Sequence, residues 1–185
     1  MKKRLPAYGM AYWNTWVPEM NETADFWIKE LNLQPHPEGG YFREVYRADE
    51  EPGLLPSRYN GKRSFATSIY FLLTGNDKSA FHRITSDETW HFYYGCPLIL
   101  YTLDEKCGLH KIELGNNPRK EQFLQYTISH GTWFGGHPAD ENSYSLLGCT
   151  VAPGFDFKDF ELAEFEKLSR AFPEHTELIR KFCIK

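Results

Sequence analysis

The densest concentration of reactive side chains in this 185-residue sequence is Phe81-His82-Arg83-Ile84-Thr85-Ser86-Asp87-Glu88-Thr89-Trp90-His91, which sets two imidazoles and two carboxylates within ten residues. If 79–84 is a strand, His82 and Ile84 share a face and Arg83 points the other way, so His82 falls on the apolar, inward side. After the Thr-Ser-Asp turn, Glu88 opens the next strand and faces His82 across the sheet. A His and a Glu within hydrogen-bond reach in an aromatic cavity can pass a proton back and forth, or can supply two ligands of a metal site. The same pair serves equally well as a satisfied, purely structural ion pair. Trp90 shares the Glu88 face. His91, at an odd separation from Glu88, falls on the opposite face unless a bulge intervenes, and a structural or surface role suits it as well as a chemical one.

A second group stands upstream, in Pro35-His36-Pro37-Glu38-Gly39-Gly40-Tyr41-Phe42-Arg43-Glu44. Proline fixes φ and glycine accepts positive φ, so this reads as an extended entry and a tight turn. The turn places Glu38 at a bend and delivers Tyr41 and Arg43 to one face of the following strand. If that face is inward, Arg43 is a fixed guanidinium able to grip a carboxylate or phosphate bidentately; if not, it pairs with a glutamate in the sheet.

These groups need a scaffold, and the periodicity supplies one. Asn21 or Thr23 caps a helix with apolar positions Ala24, Trp27, Ile28 and Leu31, stopped by Asn32 and Pro35. From about 40 to 152 the chain changes to short segments rich in aromatic and branched residues (40–48, 64–74, 79–84, 88–94, 97–104, 109–115, 122–129 and 144–152), separated by turns such as Thr-Gly-Asn-Asp at 74–77. That rhythm predicts an all-β antiparallel sandwich or barrel. Helical spacing returns over about 159–182, with Leu162, Phe165 and Leu168 three apart and Pro173 at the first turn of a last short helix. The expected organisation is an N-terminal arm, 1–20, and a single domain, 21–185.

Composition narrows the function classes. Aromatic residues make up 16% of the chain, enough for a ring-rich core or an aromatic-walled cavity. A formal net charge of −4 argues against a nucleic-acid partner. The sequence offers no apolar run of bilayer length, so no membrane association is expected. Pro6, Asn14, Pro18 and Glu19 interrupt residues 1–20, and the four cysteines are scattered without a CxxC pair, so a cytoplasmic protein with free thiols is expected. The arm's Tyr8, Tyr12, Trp13 and Trp16 need a cover. With the strand edge near 40–48, they predict a homodimer or higher homo-oligomer.

At the His82 cluster the sequence resembles the cupin superfamily, whose first motif reads G-x5-H-x-H-x3,4-E-x6-G. His82, Glu88 and Gly95 keep that spacing, Ile84 stands in place of the second His, and Gly75 comes one residue early. In the second motif, read at Ser129-His130-Gly131-Thr132-Trp133-Phe134, Phe134 occupies the metal-binding His position. His130 or His137 replaces it only if the loop at 135–142 folds inward. Three blocks, Pro35 to Glu44, Ser86 to Tyr93 and Gly148 to Phe155, are similar to one small cupin subfamily of undefined biological role. The resemblance implies a double-stranded β-helix, the jelly-roll barrel, with a pocket at its centre, to which the spacing above adds an N-terminal helix and C-terminal helices.

The combined expectation is a small-molecule site with His82 as general base assisted by Glu88, and a tyrosine such as Tyr70, Tyr93 or Tyr101 as acid. Glu38, Tyr41, Arg43, Tyr70, Trp90, His91 and Trp133 are the candidate ligand contacts. Epimerisation, isomerisation or dehydration of an anionic or sugar-like compound suits this set, with no metal and no other cofactor. A non-catalytic binding protein is the alternative, and a metal-dependent cupin enzyme ranks third.

Overall fold

The computed structural model describes residues 22–184; the aromatic arm, 1–20, lies outside them. Helix α1, Ala24–Glu30, starts at Thr23, whose side chain accepts a hydrogen bond from the Phe26 amide. The strands are β1 Gln34–Pro35, β2 Tyr41–Arg47, β3 Thr67–Thr74, β4 Ser79–Arg83, β5 Asp87–Gly95, β6 Leu98–Asp104, β7 Gly108–Leu114, β8 Gln125–Ile128, β9 Trp133–Pro138, β10 Tyr144–Ala152 and β11 Glu161–Leu162. Helices α2, Phe165–Ala171, and α3, Thr176–Phe182, follow. The strands form two antiparallel sheets, ordered β1-β2-β3-β10-β5-β8 and β11-β4-β9-β6-β7.

Period-two alternation sorts the packed side chains into three layers. Between the sheets lies the main core, including Phe71, Leu73, Ile84, Trp90, Leu100, Phe134 and Leu147. On the outer face of the five-stranded sheet, Phe81 and Leu103 pack against Leu168, Phe172, Ile179 and Phe182 of the C-terminal helices and the turn joining them. On the outer face of the six-stranded sheet, Leu72 and Leu146 pack with the Trp27 and Ile28 side of α1. Strand β2 is covered by β1 over only two residue pairs, Gln34 with Phe42 and Pro35 with Tyr41.

The expected all-β body with helical ends is therefore present, with two differences. The run 135–142 reads as a loop because of Gly135, Gly136 and Pro138, yet 133–138 is β9, paired with β4 and β6. A side chain at Gly136 would put its first carbon 2.8 Å from the Ile99 carbonyl oxygen, so glycine here reflects the close approach of strands rather than a turn. Leu162, placed on helical spacing, belongs to β11, which pairs with Arg83 and His82 of β4.

The turn after β10 carries three rings, Phe155, Phe157 and Phe160, and is fastened by Arg63. This buried guanidinium grips Asp159 through Nε at 2.6 Å and Nη2 at 2.7 Å. Replacing either partner would strand the other's charge in the interior, which is why the turn keeps its place.

Candidate functional site

A cavity of about 340 Å³ lies between the sheets, at the small end of the range for ligand sites. Its polar lining includes His36 and Glu38 on the β1–β2 turn, His82 on β4, and Glu88 and Cys149 on β5 and β10. Its walls include Phe42, Phe71, Phe155, Phe157 and Phe160.

Glu38 is delivered by backbone geometry. The His36 amide donates to the Gly40 carbonyl at 2.9 Å, the Gly39 amide to the His36 carbonyl at 3.0 Å, and the Ala80 amide to the Glu38 carbonyl at 2.9 Å. Gly39 has φ +114°, and a side chain there would collide with the Lys78 carbonyl oxygen. Gly39→Ala is expected to cost about 1–3 kcal/mol of stability and to displace Glu38, read by thermal or denaturant unfolding beside the activity assay proposed below.

Strand β4 meets this bend with a register irregularity against β9 between Ser79 and His82. The extra residue lets both side chains, three apart, reach Glu38. Ser79 Oγ donates to Glu38 Oε1 at 2.8 Å, and His82 Nε2 stands 3.2 Å from Glu38 Oε2. The other ring nitrogen, Nδ1, lies 2.8 Å from the Ala80 carbonyl oxygen. A carbonyl only accepts, so Nδ1 carries a hydrogen, and in the neutral ring that burial favours Nε2 offers a lone pair. The proton between His82 and Glu38 therefore sits on Glu38 Oε2. Electrostatics agree: burial, then the nearby Glu88 carboxyl, hold Glu38 well above the usual carboxylate range, and burial lowers His82 to about 3. A neutral pair sharing one proton avoids burying two charges. Phe134 and Phe160 flank the imidazole, with ring centres 4.0 and 5.2 Å away.

Glu88 has different surroundings. Trp90 Nε1 donates to Glu88 Oε1 at 2.8 Å. Burial lifts its carboxyl from 4.5 to about 7, against the opposing hydrogen bonds from Trp90 and Cys149. One cavity thus holds two buried carboxyls in different surroundings, Glu38 against His82 and Ser79 and raised well above its ordinary value, Glu88 against Trp90 and lifted to about 7. Burial also keeps His36 neutral, lowering it to about 4, and pushes the Cys149 thiol well above its ordinary value.

Among the residues named from sequence, His82, Glu88 and Glu38 meet at the cavity, and Trp90 stands behind Glu88. The partner of His82 is Glu38 rather than Glu88: the turn between β1 and β2 brings Glu38 Oε2 within 3.2 Å of His82 Nε2, while Glu88 bonds Trp90. Of the two faces open to Tyr41 and Arg43, the structure takes the outer one, away from the cavity. The parity of β2 turns Phe42 and Glu44 to the cavity, while Tyr41 packs toward α1 and Arg43 lies 5.7 Å over the Tyr70 ring on the outer face. Tyr70 is on that outer face for the same reason. His91 is there too, with Nε2 3.1 Å from Thr150 Oγ1. Trp133 lies beneath the Arg83 guanidinium, 4.5 Å away, and lines a separate cavity of about 730 Å³. None of Tyr70, Tyr93 and Tyr101 lines the His82 cavity, so the tyrosine acid has no place in it. His130 bonds Asp87 at 2.8 Å on the surface, and His137 stacks on Tyr101.

The sequence reading gave no role to His36, Cys149 or Ser79. A signal existed for Cys149, which shares strand parity with Leu147 and Val151. Ser79 had none, since its orientation depends on the bulge.

The chain matches the family described as Cupin superfamily (DUF985) over residues 25–163. It belongs to the cupin superfamily. Solved structures similar to this cupin include a hypothetical protein from Leishmania major, 36% identical, with a TM-score of 0.82, covering 88% of this chain and 99% of that one. A protein from Shewanella oneidensis is also 36% identical, with a TM-score of 0.78, covering 88% of this chain and 98% of the other. Oxalate decarboxylase from Bacillus subtilis, 17% identical with a TM-score of 0.51 over 80% of this chain and 36% of its own, shares the fold. No curated protein matches the chain. Among the described residues, no helix is long and apolar enough to cross a membrane.

The donor set does not fit the four-ligand metal site that cupin motifs imply. At the spacing of the resemblance Ile84 and Phe134 stand where two of the ligands would be and offer only carbon, and Phe134 packs on the His82 ring. Both His82 nitrogens already face protein partners. Among the described residues, no three His, Cys, Asp or Glu side chains converge as a metal site.

Proposed function

We propose that this cupin moves a proton at a carbon next to a carbonyl group in a small molecule held in the aromatic cavity, as in an isomerisation or epimerisation. The observation that carries the reading is the pair of buried carboxyls facing one cavity, Glu38 bonded to Ser79 and against His82, Glu88 bonded to Trp90. Glu88, its carboxyl poised at about 7, removes the C–H proton. The C–H electrons form the new C=C bond, and the carbonyl oxygen takes the proton that Glu38 shares with His82. Glu88 is then protonated and Glu38 is a carboxylate held by Ser79, so a single negative charge has moved from one to the other. Reversal at the other face or the neighbouring carbon completes the turnover.

This reading moves the base from His82 to Glu88. His82 becomes a positioning residue that keeps the proton on Glu38. Homodimerisation through the β2 edge, where Val45 and Tyr46 are exposed, is part of the same proposal and is read by light scattering.

The test is wash-in of solvent deuterium, followed by proton NMR, across small ketones, aldehydes, keto sugars and amino ketones. Exchange at the carbon beside the carbonyl in at least one class is expected. Absence of enzyme-dependent exchange in every class overturns the proposal.

A further inference from the structure

The charges around the cavity point to the ligand's own charge, an inference that rests on the proposed site and deepens it. Four of the lining residues are acids, Glu38, Glu44, Glu88 and Asp156, and the one Lys or Arg among them is Arg47. That guanidinium is already engaged: Nε and Nη2 donate to Glu44 at 3.0 and 2.6 Å, and Nη1 to the Phe155 carbonyl at 3.1 Å. The cation expected to hold an anionic ligand, Arg43, lies on the opposite face of the sheet. Both lining imidazoles are neutral, so neither supplies a positive charge. Among the described residues, an anion entering here would meet four acidic side chains and no Lys or Arg free of a protein partner.

The walls favour the opposite sign. Phe42, Phe71, Phe155, Phe157 and Phe160 line the same cavity as Glu88, and the negative faces of aromatic rings attract ammonium groups, most strongly where water is excluded. A cation beside Glu88 would be neutralised by a carboxylate at the cavity's depth and screened by rings along its sides.

We propose that the ligand is a small organic cation, a substituted ammonium group joined to the carbonyl-bearing skeleton. Such a charge also acidifies the neighbouring C–H bond and balances the negative charge that passes from Glu88 to Glu38 during turnover.

Three probes of nearly equal shape separate the possibilities: choline, its uncharged carbon analogue 3,3-dimethylbutan-1-ol, and the anion 3,3-dimethylbutanoate. Calorimetric titration of the full chain at pH 8 is expected to show choline binding about tenfold or more tighter than either of the others. In Glu88→Gln, choline is expected to fall to the affinity of the uncharged alcohol. Equal affinities, preference for the alcohol or the anion, or no choline binding at millimolar concentration overturns the proposal. Retention of the full choline preference in Glu88→Gln does so as well. Binding is measured without turnover, so deuterium exchange without choline preference refutes the cation alone. Choline preference without exchange refutes the reaction alone.

Discussion

Glu88→Gln is expected to lower the maximal rate of proton exchange about 10²–10⁴-fold, the usual worth of a well-placed general base. The loss belongs in kcat, because glutamine keeps the shape and can still accept the Trp90 hydrogen bond while being unable to take up a proton. Glu38→Gln is expected to give a loss in the same range for a different reason. Its amide can face His82 Nε2 and Ser79 as the acid does, but releases no proton to the substrate oxygen. The wild-type kcat/KM should rise with pH through about 7 as Glu88 ionises in the free protein. His82→Asn should shift this profile as well as reduce the rate, since removing the imidazole changes where the Glu38 proton rests. Variants that remain folded by circular dichroism and keep wild-type exchange rates would remove these carboxyls from the chemistry.

The same glutamate sets the second expectation, which concerns stability. Its folded value, about 7, is raised above the ordinary 4.5 that the unfolded chain retains. Between those values the folded state binds more protons than the unfolded state, so this contribution to stability is complete below pH 4.5 and is lost as pH rises through 7. Glu88→Gln, uncharged at every pH, escapes the loss. It should be more stable than the wild type at pH 8, by up to about 3 kcal/mol, and near parity at pH 4.5. His36 and His82 act in the opposite sense. Their lowered values, about 4 and about 3, give stability that is complete above 6.5 and lost as pH falls. They remain in both proteins, so the difference between wild type and Glu88→Gln isolates the glutamate. Paired urea titrations at pH 5 and pH 8 read it. A difference that does not change with pH would mean that Glu88 titrates like an exposed carboxylate.

A variant that is more stable and less active would be the signature of a buried group retained for its chemistry. His82 shows how far such a site can be read in advance. Its inward orientation was legible because Ile84 shares its parity, and the apolar run around it marks the interior. Its partner was not legible, because Glu38 lies 44 residues upstream and reaches it through pairing between a turn and a bulged strand. Alternation along β2 left two choices of face for Arg43, and only the packing of Tyr41 and Leu72 against α1 decides between them. The jelly-roll body was legible from strand rhythm and motif spacing together. The strand at 133–138 escaped because close packing of strands and a tight turn both call for glycine.

The central claim is that one cavity holds a neutral Glu38 hydrogen-bonded to a neutral His82 and a Glu88 that titrates near neutral pH. Carbon-13 NMR of the glutamate side-chain carboxyls, assigned with Glu38→Gln and Glu88→Gln, measures this without a substrate. The Glu38 signal should titrate well above the ordinary glutamate range, and the Glu88 signal should move with a midpoint near 7. Two carboxyls already ionised at pH 5.5, behaving like exposed glutamates, would contradict the account.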